Sequence, residues 1–523
     1  MRSRVPIASI MLAMVLAILP TMPAAVAPKP SETEKKTDAT VLSIFEVRAD
    51  KDEGYRSSQT TSAFNSLTTI RNTPGSISVM NRELIDDLNV VDVAELSKFA
   101  ITGEVGTATE GQSGAMSGGG AHVFRGLTSN IQLRNGVNFQ APVDAYALER
   151  VELLRGPSAF LNGEGAPGGM LNSITKQPEF IRDFQRLNLM IGSYDFFRTE
   201  LDVNRKLNEI FAVRGVVAYH RQDSFRHHAY RDFKAGYLAA HYRPFERTNI
   251  KLNVETTRNF SRQLGAILSD GFSITDRAGT FSTLTNTTGG PTYIPATGKF
   301  YDSAGLRRSV GTGIILNHLP GTNVMPRKLN LSGPNATYEH ITKTVGIEAT
   351  QQVAENLNLR LDVAVRDTFR NGRNRTGSGS GRVLRDIDPT LPSGDTNPYF
   401  GELYTEYYVF EVRDKEPRTN FRLAAIYDLK LPFTTQRIMV MGSHASINPR
   451  SQGNFLALQE VIDPNSAFFK GGAFSATNTQ AAYVANNAIM NQNNFRRRFY
   501  LRDGDSADFT ANEQVPGLSR MEI

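Results

Sequence analysis

The sequence predicts a small α+β domain followed by a long run of antiparallel strands suited to crossing a membrane as a barrel, and three observations predict it. Residues 149–178, ERVELLRGPSAFLNGEGAPGGMLNSITKQP, read as strand, tight loop punctuated by Gly and Pro, then strand. Beyond Pro178 the texture changes to a period of two: Ile250, Leu252 and Val254 fall on one face, Asn249, Lys251, Asn253 and Glu255 on the other. The connections between those later strands alternate between tight turns and long loops rich in Gly, Thr and Asn.

The elements follow in order. Arg2 and Arg4 precede an apolar stretch from Ile7 to Leu19, then Pro20 and small residues at Ala24, Ala25 and Ala27. This is the pattern of an export signal over residues 1–25, shorter than the roughly 20 apolar residues of a spanning helix. Residues 26–62 are rich in Lys, Glu, Thr, Ser and Asp and read as a flexible tail. One apolar island interrupts it, formed by Val41, Leu42, Ser43, Ile44, Phe45, Glu46 and Val47. Such an island suits pairing with a partner's sheet edge; the alternative is a strand that starts the next domain.

Residues 63–178 form the α+β domain. Asn81 can cap a helix that places Leu84, Ile85 and Leu88 on one face, and Asp92 with Glu95 reads as a capping box before Leu96 and Phe99. From 179 onward strands are expected near 186–194, 196–205, 210–222, 233–243, 248–260, 336–353, 357–369, 418–431 and 436–446. The connections at 206–209, 244–247, 354–356 and 432–435 are tight, while 261–335, 370–417 and 447 onward are long. That asymmetry is the one a bacterial outer-membrane barrel shows between its two ends. A soluble β-sandwich shares the alternation, so periodicity alone leaves the medium open.

Composition excludes several classes. With no cysteine among 523 residues, disulfide frameworks and thiolate metal sites are absent. The net charge of +6 is small and interspersed, which argues against a nucleic-acid partner. His227 and His228 read as a solvated loop. Gly163 to Gly168 spells GxGxxG, but Pro167 and the strand-like MLNSIT after it leave no helix to hold a phosphate, so the glycines read as a turn. Asp86 and Asp87 are solvated charge. No catalytic, cofactor-binding or metal-ligating set is expected, and the chain is not read as an enzyme.

Several motifs carry a resemblance in the right order: Arg71, Asn72, Thr73 and Pro74; the strand from Ser76 to Met80; Phe124, Arg125, Gly126 and Leu127; Asn135, Gly136 and Val137; and the whole of 149–178. Together they resemble the plug domain of TonB-dependent outer-membrane receptors, in their siderophore-receptor branch. Asn135 stands where the family has Asp, and Asn also tolerates the left-handed turn. The resemblance implies an α+β plug inside antiparallel transmembrane β-barrel strands, and outer-membrane active transport of a large scarce solute, a ferric siderophore first. It implies that residues 41–47 are the TonB box gripped by TonB and its inner-membrane energising complex. Arg125, Glu149, Arg150, Glu152 and Arg155 correspond to plug charges that pair with the barrel wall. The polar stretches 110–120 and 138–141 correspond to plug apices, with Gln112, Asn138 and Gln140 as ligand contacts.

Nine strands, or ten, fall short of the about 22 of family barrels and could not enclose such a plug. Nor does the chain finish on a strand with a terminal aromatic. The expectation is a C-terminally truncated polypeptide with a partial barrel. A ligand-binding or inactive fragment is the alternative from another class, and cobalamin or glycans are alternative ligands.

Overall fold

The computed structural model describes Phe45, most of residues 52–105, residues 132–156, 168–262 and 337–377, most of 384–451, and short strands at 122–124, 127–129, 282–284, 291–294, 299–302, 308–310, 456–457, 460–462, 489–490, 496–500 and 518–520, with isolated positions omitted. The expected export signal therefore lies outside the described residues.

The plug is built on a five-stranded sheet of β1 (Ser76–Asn81), β2 (Gln132–Arg134), β3 (Val137–Asn138), β4 (Leu148–Arg155) and β5 (Gly169–Thr175), in the order β1-β4-β5-β2-β3. Only β5 and β2 run parallel. Asn81 ends β1 and caps α1 (Arg82–Asp87): its side chain accepts from the Leu84 amide at 3.1 Å, satisfying one of the helix's orphan donors. The face that α1 turns inward carries Ile85, with Leu84 and Leu88 beside it. These pack on Met80, Val93 and Leu96 and on the sheet residues Leu148, Val151, Leu153 and Leu171.

The β2–β3 hairpin turns on Asn135 (φ 50°) and Gly136 (φ 76°), so Asn does take the left-handed conformation that the motif requires. Its Oδ1 accepts from the Thr175 amide at 3.0 Å, which ties the turn to β5. After the glycine-rich loop the chain enters β5 and not a helix, which removes the phosphate reading of 163–168. Gly169 is fixed by close approach: at φ +140° a Cβ there would meet the Leu154 carbonyl oxygen at 2.2 Å.

The wall is a meander of nine antiparallel strands: β6 (Phe184–Gly192), β7 (Phe196–Lys206), β8 (Phe211–Asp223), β9 (Tyr230–Phe245), β10 (Thr248–Arg262), β11 (Thr337–Ala354), β12 (Leu357–Gly377), β13 (Leu403–Leu431) and β14 (Thr434–Ile447). Short turns join β7 to β8, β9 to β10, β11 to β12 and β13 to β14; we call this side the turn end. Opposite lies the loop end, where 193–195 is itself a three-residue turn with Tyr194 and Asp195 at positive φ. Among the described residues β6 pairs only with β7, so the sheet is curved but unclosed.

The two faces of this sheet are inverted relative to a protein in water. Arg198, Glu200, Asp202 and Asn204 of β7, Thr342 and Thr344 of β11 and Arg360, Asp362, Arg366 and Arg370 of β12 are buried, turned toward the plug. The alternate positions are apolar and exposed: Leu189 is 64% exposed, Leu423 50% and Val440 69%. A sandwich in water would bury that second face. An apolar outer band over a polar inner face is what lipid outside and a filled lumen inside require, so these are transmembrane barrel strands.

Candidate functional site: the plug–wall interface

The plug contacts the wall in two different ways. Toward β7, β8 and β9 the contact closes around an apolar socket, and the cleft described below reaches Lys206, Arg214 and His241 beside it. The 3-10 turn Ala145–Ala147 inserts Tyr146 and Ala147 among Val216, Ala218, Phe233, Tyr237 and Ala239, an apolar patch on an otherwise polar inner face. Around it stand charge-assisted bonds with matched partners. Arg198 donates to both carboxylate oxygens of Asp144, at 2.9 and 2.6 Å, and also to Glu200. Asp202 receives Lys176 at 2.9 Å and, in bidentate fashion, Arg214 at 2.9 Å. Arg214 also donates to the Gln177 carbonyl at 3.0 Å and lies 3.6 Å from Glu149. The Tyr237 hydroxyl donates to the Lys176 carbonyl at 2.8 Å.

Burial shifts the plug's own titratable groups here. Burial first, then the charge and hydrogen bond of Glu255, hold the Tyr146 phenol well above its ordinary 10.0. Burial and the neighbouring Arg82 and Arg214 cations lower the Lys176 ammonium, against the pull of Asp202.

Toward β10–β13 the plug edge is the β2–β3 hairpin, and the contact is sparser. Arg134 pairs with Glu255, to which the Tyr146 hydroxyl also donates at 2.7 Å. Asn138 accepts from Arg418. Arg422 donates to the Gly136 carbonyl at 2.9 Å and pairs with Asp362 at 2.9 Å. A Cβ at Gly136 would meet Arg422 Nη1 at 2.8 Å, so the guanidinium would have to shift to admit one. Beside the hairpin runs a cleft of about 2100 Å³ that reaches from the turn-end residues Arg243 and Arg247 up to Arg366.

The residues singled out from sequence fall into three groups. Arg125, Gln112 and Gln140 lie outside the described residues, as do Val41, Leu42, Ser43, Ile44, Glu46 and Val47 of the apolar island. Phe45 is described: it is buried and lines the cleft, with the Arg360 guanidinium 5.6 Å from its ring centre. Asn138 and Glu149 meet wall arginines. Arg150, Glu152 and Arg155 depart from the expected wall pairing in their described bonds. Arg150 lies 3.3 Å from Asp52, Glu152 accepts from Thr60 at 2.6 Å and from the Ser62 amide at 3.2 Å, and Arg155 donates to Ser78 at 2.6 Å. The sheet order contributes: β4 is flanked on both sides by β1 and β5, Arg150 and Glu152 hold the tail onto the plug, and Arg155 bonds to the neighbouring strand β1.

Arg134, Asp144, Tyr146 and Lys176 do the wall-facing work and were not singled out from sequence. Their signal was faint. Lys176 follows β5 and Asp144 precedes β4, at the points where the chain leaves the sheet and faces outward.

Comparison with known proteins accords with this architecture. Residues 69–170 match the family described as TonB-dependent Receptor Plug Domain. The metal-pseudopaline receptor CntO of Pseudomonas aeruginosa is 34% identical over 192 residues, 34% of this chain and 25% of that protein. The ferric-pyoverdine 358 receptor of Pseudomonas putida is 29% identical over 185 residues, 32% of this chain and 21% of that protein. Among solved structures, the ferripyoverdine receptor of the P. aeruginosa outer membrane aligns with a TM-score of 0.57 at 17% identity, over 79% of this chain and 47% of that one. The open form of the ferric-catecholate import receptor Fiu from Escherichia coli K12 gives 0.58 at 17% identity, over 77% and 54%. The chain thus spans about a quarter of its curated relatives and half of these structures, which are receptors and not enzymes.

Proposed function

We infer, from a chain that carries a TonB-dependent receptor plug domain and transmembrane strands of such a receptor's barrel, that it serves outer-membrane transport of a large scarce solute of the ferric siderophore class. The observation that carries the reading is the inverted wall. An apolar band faces outward, and a polar inner face closes on a seated α+β domain, an arrangement that blocks free diffusion while leaving a removable obstacle. The relatives' names support the solute class, being receptors for metal-pseudopaline and ferric pyoverdine.

In this reading the turn end faces the periplasm and the loop end the outside. Solute arriving at the loop end contacts the plug near Asn138 and shifts the population in which the tail is offered to TonB. Residues 41–47 act as the TonB box. The burial of Phe45 beneath Arg360 at the turn end supports placing that segment at the periplasmic mouth. Energised pulling on the tail is transmitted first to Arg150 and Glu152, which bind Asp52, Thr60 and Ser62 to β4, the centre of the plug sheet.

Uptake of a radiolabelled ferric siderophore by cells expressing the gene, compared with a deletion of 41–47, tests this. Loss of uptake with surface binding retained is expected; unchanged uptake overturns the box assignment.

A further inference from the structure

The inner faces of β10–β13 differ in charge from those of β7–β9. Among the described residues, Lys251, Arg360, Arg366, Arg370, Arg418 and Arg422 stand there near Glu348, Asp362, Asp414 and Glu416, while Glu255 pairs with Arg134 of the plug and Asp428 with Arg437 of β14. The hairpin edge opposite adds no carboxylate: residues 135–139 are Asn, Gly, Val, Asn and Phe. Arg422 accordingly donates to backbone carbonyls of Asn135 and Gly136.

Arg366 marks the excess most sharply. Its Nη2 donates to Glu416 at 2.9 Å, but Nε and Nη1, both buried, have no hydrogen-bond partner among the described residues. The guanidinium lies 5.3 Å from the Phe139 ring and lines the cleft. Arg370 Nε, on the same inner face of β12, is also without a partner among the described residues. Buried charged donors left unmade are costly, and an anionic oxygen would satisfy them.

These cations are also spaced as a track. Arg360, Arg366 and Arg370 share the inward face of β12, and ten residues at about 3.3 Å each cover roughly 33 Å along the strand, comparable to the hydrocarbon thickness. The cleft follows this face from the turn end as far as Arg366.

We propose that the solute passes as a chelate of net negative charge, carboxylate-bearing or otherwise rich in anionic oxygen, along the cleft between the β2–β3 hairpin and strands β10–β13, with Arg366 as its contact where the cleft begins. This deepens the transport reading and rests on it. Strands β7–β9, with Arg198 and Arg214 matched to carboxylates and Tyr146 in its apolar socket, hold the plug while solute moves past its other side.

The test compares uptake of two iron-55 chelates in cells expressing the gene: ferric citrate, which is anionic, and a neutral ferric trihydroxamate. The unmodified protein is expected to carry the anionic chelate preferentially. Arg366→Gln should lower that uptake roughly tenfold, the scale of one charge-assisted hydrogen bond, and leave the amount of protein in the membrane unchanged. Arg366→Lys, which keeps the charge, should recover part of it. Preferential uptake of the neutral chelate, or an equal fall for both chelates in Arg366→Gln, overturns the anionic track while leaving the transporter reading in place. Uptake of neither chelate by the unmodified protein removes the transporter reading and this inference with it.

Discussion

The β7–β9 and β10–β13 halves of the wall meet the same plug with the same kinds of side chain and reach different results. On the first, Arg198 and Arg214 have carboxylate acceptors at hydrogen-bond distance and Tyr146 fills an apolar socket. On the second, a wall guanidinium binds the plug through a hairpin turn and Arg366 keeps buried donors without partners among the described residues, with a cleft alongside. A removable plug needs both: one side that defines its seat, and another weak enough to open. The lesson is that charge count matters less than pairing, since buried matched pairs give register and an excess leaves capacity for a ligand.

The largest expected effect tests the seat. Asp144→Ala leaves Arg198 buried with only Glu200 and removes a bidentate bond, so the seated plug should lose about 3–5 kcal/mol relative to its displaced form. Protease cleavage within the plug, measured on the membrane-inserted protein, should accelerate accordingly. The corresponding change on the open side, Asn138→Ala, should raise cleavage much less; equal effects would erase the distinction between the halves.

Tyr146→Phe comes next. It removes the 2.7 Å bond to Glu255 and should cost about 1–3 kcal/mol, since the carboxylate keeps only its pairing with Arg134. It also carries a pH signature. The seated Tyr146 has a raised pKa, so its contribution is fully present below the ordinary value of 10.0 and is lost as pH rises through the higher seated value. Plug release should therefore increase above about pH 10 in the unmodified protein. In Tyr146→Phe the alkaline component should be smaller; the same profile in both would show that Tyr146 does not report on seating.

Gly136→Ala should cost about 1–3 kcal/mol, from strain at positive φ and the collision with Arg422. Because Arg422 is the long flexible partner, Arg422→Ala in the same protein should recover the steric part. No recovery in the double variant would mean that backbone strain alone accounts for the loss.

Much of this was legible in the sequence because membrane strands write their environment every second residue. All nine wall strands are present, their turn-end limits and the four tight turns fall within a few residues of where alternation places them, and Asn81 and Asn135 perform the cap and the turn their side chains favour. The loop-end reach of the wall was not legible. β13 begins at Leu403, well before the expected 418, because its first half places apolar residues on both faces instead of alternating them with polar ones, and Pro417 reads as a strand start. Pro417 in fact lies one residue beyond Arg418, the last partner of β14. The site was less legible than the fold. Glu152 and Asp144 are both isolated acids near β4, and only the sheet order decides that one faces the tail and the other the wall.

The smallest effect separates inner charge from outer charge. Arg258 and Glu339 form an ion pair at 2.5 Å on the outward side of β10 and β11, with Arg258 about half exposed. A partly solvated pair of this kind contributes about 0–1 kcal/mol, so Arg258→Ala should change neither plug cleavage nor chelate uptake beyond that range. Arg258 and Arg366 have the same chemistry on opposite faces of one sheet, and only the second is buried with unmade bonds. If removing either arginine altered uptake equally, the effect would belong to the wall's overall charge and not to the cleft, and the contrast between the two halves would lose its functional meaning.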